Sequence, residues 1–344
     1  MDRWPVMHAF LAAQYRPDLA LRDRDIFTWF FRAGGGDANV VSAWDGEQLV
    51  GMLGFVPDPI HWGRLGAPLS GAWLVNWAVD AAYRSGIGIA LMRDVQMRFD
   101  VLLGVGAGIE NERIVARLGW TIYPGMPRYL AVFDRAAAAA LAFAGAALDG
   151  YCFAGAGDAN GAGDWRPDAP QPAWEAYPAL TYGTVRSPEY LRWRYLRHPT
   201  FRFSILAAGE DTAPALAVYR IERAAGSGAL VGRVMEFFHP ADPPGCAAGV
   251  GLAGALAARF AAAGCVFADF VGAAGAYGET LTRAGWTLED PAAPVLPSRL
   301  QPVERTPFAY NLEYGVRRGL PQPAFDAIYA TRGDGDADRP PSLR

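Results

Sequence analysis

Apolar runs separated by turn residues recur in the same order in the two halves of the chain. In the first half, the runs that predict strands are 40–44, 49–57, 72–79, 101–107 and 128–133. In the second half, the corresponding runs are 203–208, 215–221, 230–238, 266–271 and 308–314. Apolar positions at helical spacing predict helices at 87–99 and 110–118, and again at 247–262 and 277–283. The pattern therefore predicts the same unit twice.

Aromatic residues repeat at matching places in these two units. Trp29 lies in an aromatic-rich segment before the first strand, and Trp193 lies in a similar segment of the second half. Gly119-Trp120 ends the first short helix, and Gly285-Trp286 ends the second. The offset of about 160–166 residues is far longer than that of a solenoid repeat. We interpret the chain as a duplication.

Each unit runs helix, antiparallel strands, helix, strand, helix, strand, which is the order of an α/β fold with a mixed central sheet flanked by helices. The crossover at 72–107 makes its two strands parallel neighbours. We place the first unit at 1–149, a linker rich in Gly, Ala and Pro at 150–180, and the second unit at 181–331. The Asp, Gly, Arg and Pro composition of 332–344 predicts a disordered tail.

Composition narrows the function classes. Of the 344 residues 52% are apolar and the net charge is −4, which favours a globular protein and gives no reason to expect nucleic acid as a partner. Every basic residue is arginine, so lysine Schiff-base chemistry is excluded. The three cysteines have no metal-ligand spacing, and no metal is expected. The start does not resemble a signal peptide, so we expect a cytoplasmic protein without membrane insertion.

The turn after the 72–79 strand carries the candidate chemistry. Tyr83-Arg84-Ser85-Gly86-Ile87-Gly88 opens a helix, and its glycines let backbone N–H groups approach a bulky anion. A Gly-x-Gly pair also serves ordinary tight turns, so an anion site and a structural turn both remain open.

These residues resemble the GNAT superfamily of acyl-CoA-dependent N-acyltransferases. The positions that match its pattern are Val79, Tyr83, Arg84, Gly86, Gly88 and Leu91, followed by Asn111 and by Gly119-Trp120. The duplicated form is similar to sugar N-acyltransferases. The resemblance implies transfer of an acetyl or other short acyl group from acyl-CoA to a primary amine on a small molecule, with an amino-sugar nucleotide as one candidate acceptor. It leaves Val115 where many members carry a tyrosine acid.

The resemblance also implies which residues hold acyl-CoA. The strand ending at Val79 would pair with the pantetheine arm, and an N–H near Ala78 would stabilise the thioester oxygen. Asn111 would either bond the pantetheine or cap its helix. The full cofactor-binding set is Trp77, Ala78, Val79, Arg84, Gly86, Ile87, Gly88, Ile89 and Asn111. The equivalent turn of the second unit contains Pro243 and Pro244, which lack N–H donors, so acyl-CoA is assigned to the first unit.

A candidate catalytic pair lies on the second unit. Glu236 and His239 sit at the end of the strand that corresponds to the acyl-CoA strand, and we predict that they contact the acceptor. The alternative is a strand-end histidine beside a core-paired glutamate.

Two other functions remain: a non-catalytic acyl-CoA-binding or scaffold protein, and an aminoacyl-tRNA-dependent transferase of related fold, which the acidic balance disfavours. The sequence leaves the acyl chain, the acceptor and the oligomeric state open.

Overall fold

The computed structural model describes residues 4–15, 19–31, 38–63, 67–84, 86–155, 161–165, 176–177, 180–273 and 275–335. Its strands are β1 (Val40–Asp45), β2 (Gln48–Trp62), β3 (Leu69–Val79), β4 (Val101–Val105), β5 (Thr121–Tyr123), β6 (Arg128–Val132), β7 (Ala162–Asp164), β8 (Tyr182–Thr184), β9 (Ser204–Ala208), β10 (Ala215–Arg223), β11 (Leu230–Phe238), β12 (Cys265–Ala273), β13 (Thr287–Leu288), β14 (Leu312–Val316) and β15 (Ala330–Thr331). Its α-helices are α1 (Trp4–Gln14), α2 (Arg24–Phe30), α3 (Ile87–Arg98), α4 (Ile109–Arg117), α5 (Arg135–Ala139), α6 (Pro188–Leu191), α7 (Pro243–Ala262) and α8 (Gly275–Arg283).

The first sheet has the order β1-β2-β3-β4-β14-β5, with β8 also paired to β2. The β3–β4 pair is parallel and the other pairs are antiparallel. Side chains alternate between two faces along each strand. One face packs on α3 and on Val115 of α4, and the other packs on α1 and α2. Both faces of this sheet are therefore covered by helices.

The second sheet repeats this order as β9-β10-β11-β12-β6-β13, with β7 beside β9 and β15 beside β12. Its β11–β12 pair is again parallel. By length and composition alone α7 is a candidate membrane span, and half of its most apolar window is buried inside the protein. Its buried residues Leu252, Leu256 and Phe260 belong to the core of the second sheet. The predicted mixed α/β fold with two similar units is confirmed.

The two sheets exchange one strand each. β6 follows β5 in the chain but pairs with β12 and β13 of the second sheet, from Phe267–Val132 to Val271–Arg128 on the β12 side. β14 pairs with β4 and β5 of the first sheet. The sequence pattern predicts that 128–133 and 308–314 each belong to the sheet of their own unit, and this prediction is wrong. The sequence shows that these segments are strands but not which open edge each one fills.

The segment after β15 is buried. Arg332 and Asp334 are each 1% exposed, and Arg332 donates to both carboxylate oxygens of Asp269. Arg186 donates to Asp334 at 2.6 Å. The prediction of a disordered tail is therefore wrong for residues 332–335, because buried ion pairs hold this segment in the core. Residues 336–344 lie outside the described residues, as do 156–160, 166–175 and 178–179 of the predicted linker, which also supplies β7.

Candidate functional site

Strands β3 and β4 separate near their carboxyl ends. Their parallel pairing covers Gly71–Val101 to Trp73–Leu103 and does not continue beyond Trp73. A cavity of about 210 Å³ lies in the opening. We call it the inner cavity; its walls include Val75, Asn76 and Trp77 of β3 and Gly104 and Val105 of β4. The carboxyl ends of parallel strands are a common place for ligands in α/β folds.

A β-bulge on β3 accompanies this separation. Met52 of β2 faces Ala78, but Gly54 faces Val75, so β3 has one extra residue here. Asn76 adopts φ +52°, a left-handed conformation that asparagine tolerates better than most residues. Bulges bend the strand and redirect side chains, often beside functional sites.

A second cavity of about 430 Å³ continues from the first and shares Tyr15, Trp77 and Asn111 with it. We call this the outer cavity, and the two together the cleft. Of the predicted cofactor-binding residues, those that line the outer cavity are Trp77, Ala78, Val79, Arg84, Gly88 and Asn111. The structure thus brings most of the predicted set to one place.

Helix α3 points its amino end at the outer cavity. Gly86 precedes it at φ +95° and has no side chain to cap it. The N–H groups of Ile87, Gly88 and Ile89 have no acceptor within the helix, and they stand at the positive end of its dipole. The side chain of Ile87 packs towards Gly51, and that of Ile89 is 39% exposed. These residues would act through their backbone, on an anion at the mouth of the cleft.

Asn111 lies in the first turn of α4 and lines both cavities. The N-cap of α4 is Gly108, so the alternative role of Asn111 as the helix cap is wrong. Val115, one turn later, also lines the inner cavity, and its side chain has no group that can donate or accept a proton. The side chain of Asn111 is thus not used to cap α4, and it borders both cavities of the cleft.

Sequence reasoning missed Glu313, the carboxylate that lines the inner cavity in the described part of the chain. It is 2% exposed, and the Ala107 N–H donates to its Oε1 at 3.3 Å. Gly104 makes room for it, since a Cβ there would lie 2.8 Å from Glu313 Oε2. Glu313 belongs to β14, which we had assigned to the other sheet. Glu313 reaches the inner cavity because β14 joins the first sheet, and no local sequence pattern predicts that β14 does so.

The predicted acceptor pair Glu236 and His239 lies elsewhere, and neither residue lines the cleft. Glu236 accepts hydrogen bonds from Tyr195 at 2.6 Å and Tyr329 at 2.8 Å, and it lies 3.1 Å from Arg186. Burial raises the pKa of Glu236, although Arg186 opposes that shift. The structure therefore places Glu236 in the core-paired arrangement that we had stated as the alternative.

His239 has its own partners. Its Nδ1 lies 2.7 Å from the Pro240 carbonyl, and its Nε2 lies 2.8 Å from Thr280 Oγ1. Burial lowers the pKa of His239, so the neutral ring is favoured. Both ring nitrogens are engaged within the second unit, and the predicted catalytic role of this pair has no support in the geometry.

The second unit's equivalent opening is filled by the chain itself. The β11–β12 pairing extends to Val234–Phe270, and beyond it β15 pairs with the end of β12. The Phe237 N–H, on the strand that corresponds to β3, donates to the Tyr329 hydroxyl at 3.2 Å. Asp242 caps α7 by accepting from Gly245 N–H at 2.7 Å. The cleft of the first unit is therefore the open one of the two.

The architecture is similar to that of many solved structures. A GCN5-related N-acetyltransferase from Anabaena variabilis matches with a TM-score of 0.57 at 12% identity, over 91% of this chain and 70% of that one. A probable N-acyltransferase from Enterococcus faecalis matches with a TM-score of 0.54 at 10% identity, over 91% of this chain and 69% of that one. No protein-family model and no curated protein sequence matches the chain. The chain has the fold of GCN5-related N-acetyltransferases, in a two-unit form.

Proposed function

We propose that the protein transfers an acyl group from an acyl-CoA thioester to the amine of a small molecule. The observation that carries this proposal is the cleft between β3 and β4, which opens at the amino end of α3. A long, flexible thioester with an anionic pyrophosphate matches a slot of this kind, because the slot is open at one end and has N–H donors there. The similarity to N-acetyltransferase structures supports the same class of reaction.

The residues present fit acyl-CoA along its length. Beyond Trp73 no described strand pairs with the β4-facing edge of β3, so its backbone groups can bond the amides of the pantetheine arm. The first-turn N–H groups of α3 and the guanidinium of Arg84 stand at the mouth for the pyrophosphate. Leu53, Leu74 and Met92 line the inner cavity, where the acyl group would lie. An acetyl or another short acyl group is the donor we propose.

Glu313 is the group we propose to handle the proton. In the reaction the amine nitrogen bonds to the thioester carbon, the carbon–sulfur bond breaks, and one proton passes from nitrogen to sulfur. Glu313 can take the proton from the amine and return it to the thiolate, a role that Val115 cannot play. A backbone N–H near Ala78 would stabilise the oxyanion in between.

The test is CoA binding by titration calorimetry with a matched pair of variants. A side chain at Gly88 would enter the cleft beside Trp77, since a Cβ there would lie 3.3 Å from the indole. Gly88→Asp and Gly88→Asn add the same bulk, but only the first adds a negative charge. We expect Gly88→Asp to weaken CoA binding roughly tenfold or more relative to Gly88→Asn, by repulsion of the pyrophosphate.

Circular dichroism checks that both variants fold. Equal affinities for the two variants would show that the anion binds elsewhere. Failure of the unmodified protein to bind CoA would refute the function. Binding of acetyl-CoA without turnover of any amine would instead favour a non-catalytic acyl-CoA-binding protein.

A further inference from the structure

A separate cavity of about 280 Å³ lies where the two exchanged strands begin. We call it the exchange pocket. It is lined by the segment that enters β6 (residues 125–128), by the segment after β13 (residues 288–298) and by the segment that enters β14 (residues 307–310). Both halves of the chain are thus needed to build it, and neither the resemblance nor the proposed function assigns it a role.

The exchange pocket adjoins the cleft. Gly106 lines the inner cavity, and Phe308 lines the exchange pocket. The two are in contact: a Cβ on Gly106 would lie 3.1 Å from Phe308 Cζ. Gly106 has φ +71° and its N–H donates to the Asn311 carbonyl at 2.8 Å, which fixes this wall. Gly106, which has no side chain, and the ring of Phe308 therefore separate a molecule in the exchange pocket from the inner cavity.

The lining of the exchange pocket is mainly apolar. Its apolar members include Met126, Phe143, Val271, Leu288, Leu296 and Phe308. The charged residues in the wall, Arg128 and Glu289, are paired with each other at 3.1 Å. Arg128 also bonds Asp269 and the Leu296 and Pro297 carbonyls, which occupies its guanidinium. The described lining thus offers no spare cation to the phosphates of an amino-sugar nucleotide.

One polar group in the wall is unpaired. The Ser298 hydroxyl is buried, and it has no hydrogen-bond partner in the part of the chain that the structure describes. Ser298 itself is 7% exposed. A buried hydroxyl without a partner is unfavourable in a folded protein unless something else bonds it. Apolar walls with a few placed polar groups are typical of small-molecule sites.

We propose that the exchange pocket holds the apolar body of the acceptor amine, with the amine nitrogen directed past Gly106 to the thioester. This rests on the proposed acyl transfer and names its acceptor class: a primary amine on an aryl or alkyl skeleton. The neutral lining selects against sugar phosphates, because a charged group would lose its hydration there without a free counter-charge.

The test uses acetyl-CoA with 2-phenylethylamine and, as its polar counterpart, ethanolamine. We expect kcat/KM for 2-phenylethylamine to exceed that for ethanolamine by roughly tenfold or more, the range for a few buried apolar groups. Ala309 lies in the lining and is exposed, so a larger side chain there can fill the pocket without disturbing the core. Ala309→Trp should lower kcat/KM for 2-phenylethylamine by roughly tenfold and leave ethanolamine within about twofold. The matched control is Ala262→Trp, at an exposed position of α7 that lines neither the cleft nor the exchange pocket, and it should change neither.

A second measurement separates this proposal from the proposed function. NMR titration of the unmodified protein with 2-phenylethylamine reports the exchange pocket without turnover, and CoA calorimetry reports the cleft. CoA binding with no amine binding at millimolar concentration overturns the pocket assignment and leaves acyl transfer standing. Loss of octanoyl-CoA turnover in Ala309→Trp, with the amines unaffected, would assign the pocket to the acyl chain and also overturn it. Amine binding that Ala309→Trp abolishes supports it.

Discussion

Trp29 and Trp193 hydrogen-bond each other reciprocally. The Trp29 indole N–H donates to the Trp193 carbonyl at 3.1 Å, and the Trp193 indole N–H donates to the Trp29 carbonyl at 3.3 Å. Their rings stack with centroids 5.7 Å apart. Trp29 and Trp193 occupy matching places in the sequence repeat, so the duplicated units meet here through equivalent residues. Such reciprocal contact is what a two-fold interface produces.

The tryptophan pair is expected to stabilise the contact between the units. Trp29→Phe and Trp193→Phe each remove one donor while keeping an aromatic ring. We expect each to lower the free energy of unfolding by about 1 kcal/mol, the net value of a typical hydrogen bond. Urea unfolding measures this. The control is Trp44→Phe, whose indole N–H donates to the Ser42 hydroxyl at 2.9 Å, two residues away in the chain. A control loss as large as the other two would mean that ring size, and not the reciprocal bonds, matters.

Glu313 is expected to act in the chemical step. Glu313→Gln keeps the size of the side chain and its acceptor for the Ala107 N–H, but it cannot take a proton. We expect kcat to fall roughly 10²-fold or more, with CoA affinity unchanged. Steady-state kinetics and CoA calorimetry measure the two effects. Glu112→Gln is the matched control, because Glu112 bonds Asn311 and does not line the cleft. Unchanged kcat in Glu313→Gln would leave proton transfer to water.

His198 is expected to make stability depend on pH. Its Nδ1 accepts from the Thr200 and Phe201 N–H groups at 3.1 and 3.0 Å. Burial, with Arg194 and Arg220 nearby, lowers its pKa to about 3. In the unfolded chain the pKa of His198 is about 6.5. Between pH values of about 3 and about 6.5, the unfolded state therefore binds a proton that the folded state does not. Stability is therefore lost as pH falls from about 6.5 towards 3, by up to about 1.4 kcal/mol per pH unit.

Urea unfolding between pH 4 and 7 tests this. His198→Asn keeps an acceptor for the two N–H groups and does not titrate, so its stability should fall less steeply than that of the unmodified protein. The control is His8→Asn, which makes the same replacement at another histidine that accepts a hydrogen bond. His8 is half-buried and accepts from Arg22. Parallel curves for the unmodified protein and His198→Asn would contradict the assignment.

Tyr329 is expected to support the closed opening of the second unit. Tyr329→Phe removes the hydroxyl that bonds Glu236 and accepts from Phe237 N–H. Both partners are buried, so we expect a loss of about 1–3 kcal/mol of unfolding free energy. The stoichiometry of CoA in calorimetry should stay at one per chain, because the ring still fills the opening. A second equivalent of bound CoA in the unmodified protein would contradict this picture.

The sequence predicted those features that depend on residues close together in the chain. The turn at Gly86 and Gly88 could be identified because a strand, two glycines and a helix follow one another. Glu313 could not, since its position depends on which open sheet edge β14 joins. Asp334 was assigned to a disordered tail on composition, yet Arg186 holds it in the core. Glu236 has a buried arginine partner distant in sequence, and no spacing rule reveals that.

The strand exchange has a consequence for the order in which the protein can be built. β14 lies inside the first sheet, between β4 and β5, so a chain that emerges from the ribosome lacks this strand until residue 316 has been made. Until then β4 keeps an unpaired edge, and such edges invite pairing with other chains. The cleft gains Glu313 at the same moment. The first sheet is thus completed by β14, which is made after strands β9 to β13 of the second sheet, and the cleft is complete only once β14 has emerged.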